Sequence, residues 1–158
     1  MTTYIFDKLT QENALIIAND WHYPGEYAFY DMSADPEDYE EIIDPKQRGD
    51  QYFQAVDEDQ VLIGFFAICQ TADEDTVEIG LGLAPTVAGH GHGSSFVRQI
   101  LAYVAMYIPV RKVLLDVAEF NVRAQKVYAK EGFKISRHHD QLTNGSVYPF
   151  VTLLKTIR

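Results

Sequence analysis

The spacing of hydrophobic positions changes several times along the chain, and each change marks a predicted element. Residues 4–6 read as a short strand. Leu15, Ile16 and Trp21 then supply the apolar positions of a helix over residues 10–21, with Thr10 as its cap. Trp21, Tyr23, Tyr27, Phe29 and Tyr30 crowd a segment broken by Pro24 and Gly25, which predicts a loop or a pair of short turns. Asp35, Pro36 and Glu37 open a short acidic helix to about Ile43. Asp35 suits the cap, Pro36 suits the first helical position, and carboxylates favour the positive end of a helix.

Two apolar and aromatic runs, residues 51–56 and 61–71, flank Asp57, Glu58, Asp59 and Gln60 and predict a hairpin. A third strand over residues 76–84 stops at Pro85, giving an antiparallel meander. A glycine-dense loop, residues 89–93, then runs into a helix over residues 94–106, with Phe96, Ile100, Val104 and Tyr107 near helical spacing. Residues 112–117 form an almost continuous apolar run, as expected of a strand covered on both faces. A helix over residues 121–130 is capped by Asn121 and stopped by Gly132. Residues 133–138 and 147–154 read as closing strands around the turn Thr143, Asn144, Gly145. The sum is an α/β pattern, and the 158-residue length predicts a single domain over residues 1–158.

Composition narrows the function classes. Thirteen Lys and Arg against 23 Asp and Glu leave a formal net charge of −10. That argues against nucleic acid and anionic membrane as partners and is compatible with a cationic substrate. With 47% apolar and 23% charged residues, general disorder is excluded. The longest apolar run, residues 100–110, falls short of the ~20 residues a membrane span needs, and the first residues lack the basic and apolar regions of a signal peptide. The expectation is a cytoplasmic soluble protein. Cys69 has no internal disulfide partner and reads as a small buried hydrophobe.

The glycine loop carries the chemistry. Gly89, Gly91 and Gly93 alternate with His90 and His92 between a strand and a helix. Such a loop turns its backbone N–H groups inward, leaves room for a large anion and places it at a helix N-terminus. A tight turn alone would need one glycine. Ser94 follows Gly93 without the lysine of a P-loop, and the third glycine is misplaced for a dinucleotide fingerprint, although Asp116 on the next strand keeps that reading open. His90, His92, His138 and His139 could be taken as metal pairs. Zinc needs about four converging ligands, only His22 is left among the histidines, and no metal is expected.

The strand Glu78, Ile79, Gly80, Leu81, Gly82, Leu83, Ala84, Pro85, followed by Ala88, Gly89, His90, Gly91, His92, Gly93, resembles the acetyl-CoA signature of the GNAT N-acetyltransferases. A second block of that family is also present, Asn121, Ala124, Tyr128, Gly132 and Phe133. Two blocks in the right order are far more specific than one loop. The segments 21–30 and 79–85 further resemble bacterial members that are ribosomal-protein-alanine-like. One departure stands out: the family's Gln/Arg position falls on Ala88, so a side-chain donor to the pyrophosphate is missing there.

The resemblance implies a GNAT fold, a mixed and mostly antiparallel sheet with a splayed parallel strand pair and flanking helices. It implies acetyl-CoA as co-substrate, held by the backbones of Leu81 and Leu83, by Ala88, Gly89, His90, Gly91, His92, Gly93 and Ser94, and by Asn121 and Tyr128. His90 and His92 would compensate in part for Ala88. Tyr128 would protonate the departing thiolate, and Glu78 would take the proton of the attacking amine. The acceptor would be a small-molecule or peptide amine. The aromatic and acidic residues of segment 21–44 themselves read either as a wall for it or as a packed lid with a solvated acidic helix. A homodimer is compatible with this reading, and the sequence leaves the oligomeric state open. The alternatives are transfer of another acyl group, a non-catalytic acyl-CoA-binding or sensor module, kept in play by Ala88, and a dinucleotide-binding oxidoreductase.

Overall fold

The structure, a computed structural model, describes residues 3–158. Seven strands form one sheet in the order β1-β2-β3-β4-β5-β7-β6. They are β1 (Ile5–Lys8), β2 (Tyr52–Val56), β3 (Leu62–Gln70), β4 (Thr76–Leu83), β5 (Lys112–Ala118), β6 (Lys134–Thr143) and β7 (Ser146–Thr156). The β4/β5 pair is parallel and every other pair is antiparallel. The helices are α1 (Gln11–Asp20), α2 (Pro36–Ile43), α3 (Pro45–Arg48), α4 (Gly93–Tyr107) and α5 (Val122–Lys130). A meander followed by a single crossover is the expected order, and a doubly wound dinucleotide fold is excluded because that fold needs a mostly parallel sheet.

Local chemistry sets the helix ends. The Thr10 hydroxyl accepts the Asn13 N–H at 3.2 Å, and the Asp35 carboxylate accepts the Glu37 N–H at 3.0 Å ahead of Pro36. The helix α5 ends with the Phe133 N–H donating to the Tyr128 carbonyl beside Gly132. Asn144 and Gly145 both adopt positive φ, the requirement of a two-residue hairpin turn that suits strand twist.

Two apolar layers cover the sheet. On one face Val77, Ile79, Val113, Leu115 and Val117 pack against Phe96, Val97, Ile100 and Val104 of α4 and Tyr128 of α5. On the other, Phe65 and Ala67 pack with Trp21, Ile42 and Ala14, Ile17 and Ala18 from α1. Each fully buried large side chain, such as Phe66 or Phe96, contributes about 1.5–3 kcal/mol of burial.

Several expectations change in detail. Of the two readings of the aromatic segment, the pair of short turns is the one found, as 3-10 turns over Gly25–Tyr30 and Met32–Ala34. The short α3 had no periodic signal, because four residues cannot show one. The closing strands run longer than expected, since β6 is an edge strand exposed along most of its length and shows no alternation. Cys69 is only half-buried, near the end of β3. Among the described residues no helix is long and apolar enough to cross a membrane.

Gly64 on β3 makes room for an aromatic ring. A Cβ there would lie 2.8 Å from Phe96 Cζ and 3.0 Å from the Gly82 carbonyl oxygen. Gly64→Ala is therefore expected to cost about 1–3 kcal/mol through overpacking. A urea midpoint that falls at constant m value is the expected reading, and an unchanged midpoint would mean that Phe96 yields freely.

Candidate active site

The β4 and β5 strands are in register only from Thr76 and Lys112 to Glu78 and Leu114. Beyond Glu78, β4 continues beside β3 and β5 continues beside β7, so the two part company. The Ala84 N–H donates to the Ile63 carbonyl at 2.8 Å, which sets the alternation along β4. Gly80 and Gly82 aim their backbone groups at β3, while Leu81 and Leu83 aim theirs into the gap. Likewise the Glu119 N–H donates to the Pro149 carbonyl, so Asp116 and Ala118 face the gap from β5. Backbone amides that lack a strand partner must find other partners.

Two tyrosines of the aromatic segment meet part of that need. The Tyr23 hydroxyl donates to the Leu83 carbonyl at 2.6 Å. The Tyr30 hydroxyl accepts from the Ala118 N–H at 3.3 Å and from Asn121 Nδ2 at 3.2 Å. The segment is fastened at the sheet's far end, where Asn144 Nδ2 donates to the Phe29 carbonyl at 2.8 Å and the Thr143 hydroxyl to Asp35 at 2.9 Å.

The glycine loop leads into α4 at one end of the gap. The Val87 and Ala88 N–H groups close a turn on the Ala84 carbonyl, and the next helical bond is Phe96 N–H to the His92 carbonyl. From Gly89 to Ser95 no backbone N–H donates to another group among the described residues. Gly89 and Gly91 have φ of 80° and 86°. A run of free donors at the start of a 15-residue helix suits a phosphate. His90 is exposed and His92 precedes the first turn of α4.

The helix α5 sets the second block. Asn121 Oδ1 accepts the Ala124 N–H at 3.1 Å, which caps the helix, while its amide nitrogen serves Tyr30. Two turns on, Tyr128 is 8% exposed and packs against Phe133. Burial, with a lesser contribution from Tyr30, pushes the Tyr128 phenol well above its ordinary range. Its hydroxyl has no hydrogen-bond partner among the described residues.

Glu78 belongs to the opposite face. Alternation puts Val77 and Ile79 with Tyr128 and α4, and Glu78 and Gly80 with Cys69 and Ala67 on the α1/α2 side. Burial, and then the neighbouring Asp116, raise the Glu78 pKa above the usual carboxylate range. Asp116 accepts from the Thr152 hydroxyl and pairs with His139 Nε2 at 3.3 Å. A Cβ on Gly80 would meet nothing within 4 Å, so the floor beside Glu78 is open.

Tyr23, Tyr30 and Asp116 are the residues at the gap that sequence reasoning missed in these positions. Tyr23 and Tyr30 stood only within an aromatic wall, and no sequence signal places their hydroxyls on the gap. Asp116 sits two residues beyond the last paired position of β5, which strand parity alone could have flagged. Among the described residues no group of three or more metal-ligating side chains converges.

Asn121 combines two bonds that a pair of variants separates. Asn121→Ala is expected to lose about 1 kcal/mol with the cap, whereas Asn121→Asp retains an acceptor for the Ala124 N–H. Thermal unfolding should place the Asp variant nearer wild type. Equal losses would assign the effect to the Tyr30 contact instead.

Comparison with known proteins places this geometry. A family model described as an acetyltransferase (GNAT) domain matches residues 5–134. No curated protein matches the chain. Among solved structures, a mutant form of the spermidine/spermine N-acetyltransferase SpeG from Vibrio cholerae is 20% identical, with a TM-score of 0.73 over 98% of this chain and 95% of that one. A GNAT-family acetyltransferase from Bacillus anthracis is 14% identical, with a TM-score of 0.75 over 99% of each chain. At these identities the likeness is one of fold. With a parted parallel pair, a free-donor glycine loop and a family match over most of its length, the chain belongs to the GNAT acetyltransferase family, whose members are N-acetyltransferases that use acetyl-CoA.

Proposed function

We propose that this protein moves the acetyl group of acetyl-CoA to a primary amine of a small polycationic acceptor, by direct attack of the amine on the thioester. The observation that carries the reading is the placement of Glu78 and Tyr128 on opposite faces of the sheet at the one place where its strands part. A thioester laid in the gap meets a base on one side and a proton donor on the other.

The residues present fit the co-substrate. The free N–H run from Gly89 to Ser95 suits its phosphates, and the gap-facing groups of Leu81 and Leu83 suit its amide-bearing arm. Acetyl-CoA supplies the activated acetyl group, and the chain supplies everything that handles protons. The Leu83 N–H points at the gap and is placed to polarise the carbonyl. An amine with pKa ~10.4 arrives protonated. Glu78, held in a partly desolvated place beside Asp116, takes that proton. Tyr128 stays protonated because its pKa is raised, and its unpartnered hydroxyl donates to the sulfur as the bond breaks.

Electrostatics favours a polycation. A band of carboxylates runs from α2 to the gap: Glu41 bonds the Tyr52 hydroxyl at 2.6 Å, and the Cys69 thiol, raised chiefly by burial, feels both Glu78 and Glu41. Asp38 keeps contact with solvent, yet partial desolvation and repulsion from Asp35, Glu41 and Glu37 push its pKa up to about 6. Cations arriving there relieve that repulsion, and they do so less as pH falls through 6 and Asp38 takes up a proton. The likeness to spermidine N-acetyltransferases agrees with this choice.

Thiol release from acetyl-CoA with spermidine, spermine, a monoamine, a free amino acid and a peptide N-terminus is the direct test. The polyamines should give the highest kcat/KM, falling with added salt. A monoamine or peptide that turns over as well as spermidine would overturn the polycation assignment.

Two variants address the chemistry. Tyr128→Phe should lower kcat by ~10²-fold and leave acetyl-CoA binding unchanged. An unchanged kcat would reduce Tyr128 to a packing residue. Because a base works deprotonated, kcat/KM should rise with pH through the raised Glu78 pKa, along a limb above the usual carboxylate range. Glu78→Gln should remove that limb, and its persistence in the variant would assign the base elsewhere.

A further inference from the structure

The pyrophosphate loop lacks the side-chain donor that the family's pattern places at residue 88, and the fold brings a cation to it from another element. Arg123 lies in the first turn of α5, two residues after the Asn121 cap. Its guanidinium reaches back over the loop: a Cβ built on Gly89 would lie 2.8 Å from Arg123 Nη1. The group lies over the Tyr27 ring, with Cζ 4.1 Å from the ring centroid, a cation–π contact. That contact occupies no hydrogen-bond acceptor, and a guanidinium carries five N–H donors. In a chain of net charge −10, Arg123 makes no ion pair or hydrogen bond among the described residues.

The loop's two flanks differ in sign. One flank is a groove lined by Asp57, Glu58 and Asp59 together with Gly91, His92 and Ser95, with no residue of α5 in its lining. Three carboxylate-bearing residues there repel a phosphate. On the α5 side the free backbone donors from Gly89 onward lie next to Arg123. An anion that binds the loop is thus steered to the flank where a planar, pre-positioned cation waits.

We propose that Arg123, positioned by Tyr27, is the side-chain clamp for the pyrophosphate of CoA and replaces the donor absent at Ala88. The assignment rests on the acetyl-CoA reading above. It also links two halves of the site, because Tyr27 belongs to the 3-10 turn that carries Tyr30 to the gap. A guanidinium pinned between ring and phosphate holds that turn against the cofactor loop.

Calorimetric titration with CoA and with dephospho-CoA, which keeps the pyrophosphate and lacks the 3′-phosphate, tests this. Arg123→Ala should weaken both ligands by about tenfold or more, the scale of charge-assisted hydrogen bonds, and should flatten the salt dependence of binding. Arg123→Lys should recover part of the loss, since the charge remains and the planar fork does not. Tyr27→Ala should weaken both ligands to a smaller extent by freeing the guanidinium. Arg123 is exposed, so its variants should melt near wild type. Unchanged affinity for both ligands would overturn the proposal and leave Arg123 as a surface cation–π contact of Tyr27. A loss confined to CoA would overturn it in favour of a 3′-phosphate contact. If wild type binds neither ligand, the acetyl-CoA reading itself falls and takes this inference with it.

Discussion

Everything at the site follows from one failure of pairing. The β4 and β5 strands run parallel, stay in register as far as Glu78 and Leu114, and then part. Each keeps its other neighbour, β3 for β4 and β7 for β5, so the sheet remains whole while a wedge opens in it. A wedge in a sheet exposes backbone donors and acceptors in a fixed register, and burying them unpaired would cost about 1–3 kcal/mol each. The fold therefore needs something to fill the wedge, and an extended arm bearing amides is a chemical match. The crossover that joins the two strands must pass the wedge's open end, which is why the glycine loop and the N-terminus of α4 lie where phosphates would follow that arm.

The wedge also explains the division of labour between residues of alternating parity. Along β4 the odd positions, Val77 and Ile79, lie on the α4 face with Tyr128, and the even positions, Glu78 and Gly80, lie on the α1/α2 face. A continuous sheet would keep these faces apart. Where the strands separate, a reacting group can be reached from both. The two faces differ in polarity as well as position. Tyr128 sits in an apolar layer that keeps its phenol protonated, whereas Glu78 shares its side with Asp116, His139 and Thr152. Burial raises both pKa values: the Tyr128 phenol stays protonated, and the Glu78 carboxyl, raised further by Asp116, is held above the usual carboxylate range.

Much of this was legible in the chain, for identifiable reasons. Asn121, Ala124 and Tyr128 share a helix face by spacing, and both the cap and the buried phenol are found where that spacing puts them. The alternating glycines forecast a donor-rich loop, and the backbone N–H groups from Gly89 to Ser95 are indeed without partners among the described residues. What escaped notice depends on contacts distant in sequence. Tyr23 and Tyr30 reach Leu83 and Ala118 across the fold, and Arg123 reaches Gly89 from a helix that begins thirty-odd residues later. Local periodicity carries no information about such meetings. The extended reach of β6 escaped for another reason: an exposed edge strand has no buried face, so it leaves no alternating pattern to read.

The aromatic segment ties these threads together. It has no buried apolar residue of its own in its first 3-10 turn, so packing alone does not fix it. It is held instead by polar bonds at several points: Tyr23 to the Leu83 carbonyl, Tyr30 to Ala118 and Asn121, and Phe29 to Asn144. Each is worth only about 1 kcal/mol net, and two of them engage backbone groups at the wedge. The aromatic rings pack edge to face, Phe29 against Tyr30, Phe120 and Tyr148, which gives the segment shape without rigid burial. The segment is thus set in place by directed polar bonds to both parted strands and to the turn between β6 and β7, so the chain that borders the wedge is positioned by the wedge's own unpaired backbone groups.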